Sequence, residues 1–500
     1  MDDLNLRYRE IISYEPAGDL VMTHEESMET AIPEYCPDLT RIVDTAGQIW
    51  VREKSLTDGK MSVSGSIHVT VLYTSEESAG LRSLTVSLPF TCRAEDKRAC
   101  QTVSVDGKLL LLEVKMLGAR KLYIRALPEF RVRGYRRVQH HLCTGVQEDE
   151  GLQILRRQTV LPLLTNIWER DINFAQEIAP ETGEEQTADL LMDRVFLQLN
   201  SCQHFGNKLV IKGEAIMSML CRAEDQTLNS RQVTLPFSQI IDGEDLPEEA
   251  TFSCIARMAE HEIHPVRTES GSGLGVTMRI TLEIRTYEQL AVDYVADLYS
   301  TRREVTAKLA DIAFSTAAVP EDIRRDCDQR LDGAGSFAYL TDTKVSQPEV
   351  TALEGGRPAL RGTLRMKILY LDDTGTPVTA ERSAEVGAEL GQMPSSVRVR
   401  TGPESWQRTG NGFEVRVPVL FSLQRSDQKE LCAVTAAQQG GEIDHSAAPS
   451  LILRRLQEGE SLWDVAKQCQ TEEAIILSAN ELGNGAEATD HRLLLIPRMR

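Results

Sequence analysis

The residues with the clearest chemical capacity in this 500-residue chain are two histidine pairs, a glycine tract, ten scattered cysteines and many carboxylates. His261-Glu-Ile-His264 combines two imidazoles with a carboxylate, the set used by a zinc protease. There, however, the histidines stand four apart on one helix face with the glutamate between them. Here they are three apart in a stretch that alternates like a strand, so they read as a surface coincidence. Gly271-Ser-Gly-Leu-Gly275 precedes a strand, not a helix, and no Lys-Ser/Thr follows, so no phosphate loop is indicated. His140-His141 has no ligand set near it, and no Gly-x-Ser-x-Gly elbow occurs. Cys36, Cys92, Cys100, Cys143, Cys202, Cys221, Cys254, Cys327, Cys432 and Cys469 include no Cys-x-x-Cys pair. They read as free thiols in a reducing compartment, used as small core residues. Paired carboxylates are uninformative in so acidic a chain. The sequence predicts no catalytic residue, no metal and no cofactor.

Charge narrows the choice of partner. Asp and Glu outnumber Lys and Arg by 75 to 55, a net charge of −20. Such a chain repels phosphate backbones, and its longest basic cluster, Arg131–Arg137, reads as the solvated face of a strand; nucleic acid is not expected. No run of about 18 apolar residues occurs, so no membrane insertion is expected. The start, Met-Asp-Asp-Leu-Asn-Leu-Arg-Tyr, has neither a basic nor an apolar leader region, so export is not expected either.

The elements that must position any site come from a repeat. Met61–Tyr73, Leu209–Cys221 and Pro358–Tyr370 share one pattern once Gly65, Gly213 and Gly362, 148 and 149 residues apart, are placed in register. Around the glycines, Val63, Ile67, Val69 and Val71 in the first copy correspond to Ile211, Ala215, Met217 and Met219, and to Leu360, Leu364, Met366 and Ile368. Apolar side chains on every second residue are the mark of a strand with one buried face. Polar residues such as Ser66, His68 and Thr70 intervene. An aspartate precedes each glycine by about 20 residues, at Asp44, Asp193 and Asp342. Leu88-Pro-Phe90 and Leu235-Pro-Phe237 match, while the third copy has Ala384-Glu-Val386. A glycine inside a strand marks a bulge or a close backbone approach.

A unit of this length is a domain and not a solenoid turn. The predicted fold is mainly β: three tandem antiparallel β-sandwich-like repeats over 1–147, 148–300 and 301–437, a flexible linker over 438–449, and a small βααβ domain over 450–500. Glu181–Gln186 is an acidic stretch ahead of the second repeat, and Glu321–Leu331, after Pro320, is expected to be a helix. Strand-rich repeats also offer edges or faces for self-association.

The pattern changes after the linker. Leu451-Ile-Leu-Arg-Arg-Leu456 reads as a strand, Ser461 as the N-cap of a helix with Asp464 in its first turn, and Glu472–Asn480 as a second helix. Asn480 and Gly483 suit helix ends, and Arg492–Pro497 closes with a strand. The motifs Glu458-Gly-Glu-Ser-Leu-Trp-Asp-Val-Ala466, Ala479-Asn-Glu-Leu482 and Leu494-Leu-Ile-Pro497, in that order, resemble a LysM domain. With that module behind them, the runs ending in Leu72-Tyr73 and Leu369-Tyr370, and Ala296-Asp-Leu-Tyr-Ser300, resemble the sporulation-associated SPOCS repeat of spore-forming Firmicutes.

The LysM resemblance implies a groove for N-acetylglucosamine-containing glycan such as peptidoglycan or cortex. Gly459, Glu460, Ser461 and Leu462 would form one wall, and Asn480, Glu481 and Leu482 the other. The alternative is that Leu462, Val465 and Leu477 are core and Asn480 is a helix cap. Trp463 either packs inside the module or presents its ring to a partner. The combination is similar to clostridial coat-morphogenesis proteins whose LysM domain docks the stage IV sporulation ATPase. That implies a non-catalytic scaffold in the mother-cell cytoplasm, at the forespore surface and coat, meeting the ATPase and other coat proteins. A single LysM copy, without the avidity of several, also favours a protein partner over glycan.

Overall fold

A computed structural model describes residues 2–77, 79–147, 149–179, 187–243, 246–268, 271–352, 357–444, 446, 449–457, 459–482 and 493–497. The expected stretch 181–186, Glu458, Gly483 and Arg492 lie outside the described residues. Among the described residues the chain is mostly strand, with two short helices near its end. After β1 (Asp2–Asp3), the first repeat holds β2 (Leu6–Thr23), β3 (Glu26–Ala31), β4 (Arg41–Thr57), β5 (Lys60–Thr74), β6 (Leu81–Glu95), β7 (Thr102–Gly118) and β8 (Lys121–Val146). The second holds β9 (Leu152–Ile178), β10 (Thr187–Phe205), β11 (Lys208–Ala223), β12 (Leu228–Asp242), β13 (Thr251–Thr268) and β14 (Gly271–Ser300). The third holds β15 (Arg303–Ala317), β16 (Glu321–Asp332), β17 (Ala338–Val345), β18 (Glu349–Ala352), β19 (Pro358–Leu371), β20 (Pro377–Glu389), β21 (Ser396–Thr401), β22 (Ser405–Thr409), β23 (Gly412–Gln424) and β24 (Ser426–Glu442).

Each repeat is an antiparallel meander packed on a second sheet: β4-β5-β6, β10-β11-β12, and β17/β18-β19-β20. The middle strand supplies the alternation seen in the sequence. Val63, Ile67, Val69 and Val71 are fully buried, as are Ile211, Met217 and Met219, and Leu364, Met366 and Ile368. Each set belongs to the core of its own sandwich. Gly65 lies opposite Val51 and Gly213 opposite Leu199, each beside a bulge; in the third repeat the pairing breaks after Val345 and resumes at Glu349. A Cβ on Gly65 would run into the Trp50 carbonyl oxygen, and one on Gly213 would come within 2.6 Å of the Gln198 oxygen. At Gly362 the nearest atom is 3.5 Å away. Gly65→Ala and Gly213→Ala are therefore expected to cost about 1–3 kcal/mol through overpacking. Gly362→Ala should stay within roughly 0.5 kcal/mol of wild type. Urea midpoints of the three variants check this; equal losses would show that the glycines serve a common purpose other than close approach.

The strand from Glu321 to Asp332 corrects one expectation. That segment is β16, not a helix: Ile323 faces Phe421, Cys327 faces Val417 and Leu331 faces Phe413 across β23. Pairing and burial against a central strand override the helical composition. A second correction concerns the face left polar by the alternation. Leu72, Leu220 and Leu369, each seven residues after its glycine, meet in one buried cluster with Tyr339, Phe337 and Met192. The repeats are not beads on a string; their outer meander faces converge.

The three aspartates lie at that junction, each one or two residues after a bulge at Val43, Leu191 or Thr341. Asp44, 2% exposed, accepts from Thr341 Oγ1 at 2.6 Å and pairs with Lys367, joining repeats one and three. Gln48 Nε2 donates to the Asp193 carbonyl at 2.8 Å, joining one and two. Arg194 donates to Leu340 O at 2.8 Å and to Thr343 Oγ1 at 3.1 Å, joining two and three. Arg133, expected on a solvated face, is 8% exposed and bonds Val397 O at 3.0 Å.

Beyond the sandwiches the long strands continue as ribbons: β2 with β8, β9 with β14, and β15 with β24. These share a further core, to which Ile11 and Leu142, Leu161 and Val292, and Phe314 and Leu431 contribute. β1 pairs with the end of β24, Asp2 opposite Gln439 and Asp3 opposite Gln438, so the start of the chain is stitched to the last strand of repeat three. The linker expected over 438–449 accordingly starts later, since Gln438–Glu442 belong to β24.

Candidate functional site

The C-terminal module follows the expected order of elements. β25 (Leu451–Arg455) pairs antiparallel with β26 (Leu493–Pro497), and α1 (Leu462–Cys469) and α2 (Glu473–Ala479) lie between them in sequence. Ser461 caps α1 through a full capping box with Asp464: its Oγ accepts from the Asp464 amide at 3.2 Å, and its own amide donates to Asp464 Oδ2 at 3.0 Å. Such a cap satisfies amides that the first turn cannot pair internally. Leu462, Val465, Ala466, Cys469, Ile476, Leu494 and Ile496 fill the core.

The residues expected to line a groove divide into three groups. Gly459, Ser461 and Glu481 are exposed. Glu460 and Asn480 are half-buried and already engaged. Glu460 accepts from Arg454 at 2.5 Å and from the Gln457 amide at 3.2 Å. The Asn480 side chain donates to Ile476 O and Leu495 O, at 2.8 and 2.7 Å, and accepts from the Leu495 amide at 2.8 Å. Asn480 thus ties α2 to β26, which is a structural task. Leu462 and Trp463 are each 8% exposed, and Leu482 packs on the same core.

Trp463 turns neither to solvent nor only to its own module. Its indole Nε1 donates to Asp297 Oδ2 at 2.9 Å, and its ring meets Tyr299 edge-on at 4.8 Å between centroids. Lys467 Nζ donates to both Asp297 oxygens at 2.7 Å, and Tyr299 Oη donates to Thr471 O at 2.8 Å. Burial raises the pKa of the Tyr299 phenol, keeping it a donor at neutral pH. Asp297 and Tyr299 stand at the end of β14, within the Ala296–Ser300 run singled out in the sequence. The expected free, tethered head is therefore seated on repeat two. Its anchor lies some 170 residues upstream; the signal for it was an Asp-Leu-Tyr at a strand end that the other repeats lack.

What the module leaves open is the back of its sheet. Leu451, Leu453 and Leu493 are 50%, 64% and 58% exposed, and the register places Leu453 opposite Leu495 and Leu451 opposite Pro497. Alternation explains the face: Leu494 and Ile496 turn inward, so Leu493, Leu495 and Pro497 turn outward. The result is a two-stranded apolar ladder with Arg455 at one end.

The other residues weighed for chemistry sit at repeat contacts. His261 is buried, not on the surface, and lies 2.6 Å from Asp193 through Nε2. His140 is also buried, 3.4 Å from Ser13 and 3.5 Å from Glu15. Among the described residues, no group of three His, Cys, Asp or Glu could hold a metal ion. No helix among them is long and apolar enough to cross a membrane.

The first repeat's meander, from the turn before β4 through β7 into the start of β8, is the part a family model recognises. Residues 38–123 match the SipL SPOCS domain. The SPOCS match covers Asp44, the bulge beside it, Gly65 and the whole of β4-β5-β6, and it points to a sporulation-related role. A meander of the same form, with a glycine in its middle strand, recurs in repeats two and three, outside the matched residues. No curated protein and no solved structure matches the chain.

Proposed function

We propose that this protein is a non-catalytic scaffold of spore-envelope assembly, in which the three SPOCS-type repeats form one rigid body and the LysM-like C-terminal module docks a protein partner. By resemblance the partner is the stage IV morphogenetic ATPase, met on the mother-cell side of the forespore, with other coat proteins recruited around it. The observation that carries this reading is the exposed apolar ladder of Leu451, Leu453 and Leu493 beside Leu495 and Pro497. An uncovered apolar patch of this kind marks protein interaction surfaces. The groove residues that a glycan would need are, by contrast, largely spent: Trp463 and Leu462 inward, Asn480 on the β26 backbone.

The test uses the full chain, because the module is seated on repeat two. Leu453→Asp and Leu493→Asp should weaken ATPase binding about tenfold or more, as loss of a central apolar anchor does, with melting unchanged. Saturable binding of chitin oligomers, with no affinity for the ATPase, would replace this reading with the glycan one. Gly459, Ser461 and Glu481 would then be the residues in contact.

A further inference from the structure

The three repeats also meet through charges. Repeat one brings Lys54 on β4, Asp106 on β7 and Arg133 on β8; repeat three brings Arg398 on β21. Repeat two brings Glu169 on β9, Arg257 on β13, and Glu283 and Arg285 on β14. Arg398 Nε donates to Asp106 Oδ2 at 2.9 Å, and Arg133 Nη1 donates to the same oxygen at 3.3 Å. Arg257 and Arg285 hold Glu283 at 2.9 and 2.7 Å, while Arg257 and Lys54 share Glu169. These pairs form one electrostatic set. Against the effect of burial, Arg398 and Lys54 join Arg285 and Arg257 in lowering the Glu283 pKa. Arg257 likewise joins Arg398 and Arg133 in lowering that of Asp106.

The set does not balance. Five cations face three carboxylates, in a chain whose net charge is −20. Asp19, 4.0 Å from Arg133 Nε, does not close the gap, because it also pairs with Arg131 at 3.5 Å and so brings a sixth cation with it. Glu283, Arg285 and Arg133 are 0%, 4% and 8% exposed, so water does not compensate the excess as it would at the surface. Burial accordingly lowers the pKa of both Arg133 and Lys54 in spite of their carboxylate neighbours. Arg133 Nε, buried and without a hydrogen-bond partner among the described residues, shows the same shortage of acceptors. Accessible donors remain beside it. Arg257 Nε and Arg398 Nη1 donate to nothing among the described residues. Their side chains keep 19% and 14% of their surface, and Lys54 keeps 18%. Guanidinium N–H groups match the oxygens of a tetrahedral oxyanion, and an excess of two positive charges matches a dianion. The acidic surface elsewhere repels anything larger of that sign.

We propose that the junction of the three repeats binds one small dianionic oxyanion, sulfate or hydrogen phosphate, on Arg257, Arg398 and Lys54, which clamps the repeats together. The site uses no residue of the C-terminal module and does not rest on the docking reading. The full chain, dialysed into a chloride buffer, is titrated with sulfate and separately with phosphate, to about 10 mM at constant ionic strength. At least one should bind one-to-one by calorimetry and raise the melting temperature along a saturating curve, whereas a merely excluded salt gives no saturation. Arg398→Gln, which cuts the excess to one and removes a donor, should weaken binding about tenfold or more. Glu169→Gln, which raises the excess to three, should tighten it about tenfold. Each variant is referred to its own melting in chloride, so a loss of stability does not pass for a loss of binding. No saturable binding of either ion, or binding that both variants leave unchanged, would overturn the proposal.

Discussion

Trp463→Ala is expected to release and unfold the C-terminal module while the three repeats stay intact. Truncating a buried tryptophan costs about 3–5 kcal/mol. This one also serves as a hydrogen-bond donor to Asp297 and an edge contact for Tyr299. A module with two short helices and one pair of strands has little core to spare. Limited proteolysis should cut the variant around residues 443–450, and near-ultraviolet circular dichroism should lose part of its tryptophan signal. Trp463→Phe keeps the ring and loses only the indole donor, so its cost should fall to about 1 kcal/mol. Partner binding lost in Trp463→Ala with proteolysis and dichroism unchanged would mean that the ring contacts the partner directly. Asp297→Ala should mimic the release without touching the module, because it leaves Trp463 Nε1 and Lys467 unpaired.

The second large effect is expected at Glu283→Gln. Glu283 is fully buried and accepts from Arg285 at 2.7 Å and from Arg257 at 2.9 Å. Arg257 also pairs with Glu169, which accepts from Lys54 of repeat one at 2.7 Å. Arg285 lies 5.1 Å from the Tyr135 ring. Removing one member of a buried charge set strands the others, at about 3–5 kcal/mol. Burial alone would raise the Glu283 pKa, but Arg285, Arg257, Arg398 and Lys54 together outweigh it and hold it well below the usual carboxylate range. The native carboxylate therefore contributes its stability in full above the unfolded value near 4.5, and that contribution fades as pH falls through the depressed native value. Wild type and Glu283→Gln should accordingly differ most at neutral pH and converge in strong acid. His68 adds loss in the same direction, between pH 6.5 and about 4, because its native ring is held neutral. Denaturant midpoints measured from pH 7 to 3 check both; a constant gap would show that Glu283 acts by shape and not by charge.

Much of each repeat could be read from its own residues, because period-two burial is local. Val63 to Val71 and their counterparts, the glycines beside bulges, and the Ser461–Asp464 capping box all depend on neighbours close in sequence or on one partner strand. The misreadings share a different cause. Glu321–Asp332 does alternate, with Ile323, Cys327 and Leu331 on one side, but the charges between them look helical until β23 is known to cover that side. Ser66, His68 and Thr70 look solvated until repeats two and three are placed over them. His261 looked incidental because Asp193 and Trp50, which enclose it, are distant in sequence. Trp463 needed Asp297. Apart from β16, whose cover comes from β23 of its own repeat, each of these polar or aromatic groups has a neighbour across a repeat or module boundary, where sequence spacing carries no information about distance.

The pairing of Asp2 and Asp3 with Gln439 and Gln438 makes the repeat body a closed circuit. It follows that parting repeat three from repeat one means breaking backbone pairing at β1 as well as the side-chain contacts of Asp44.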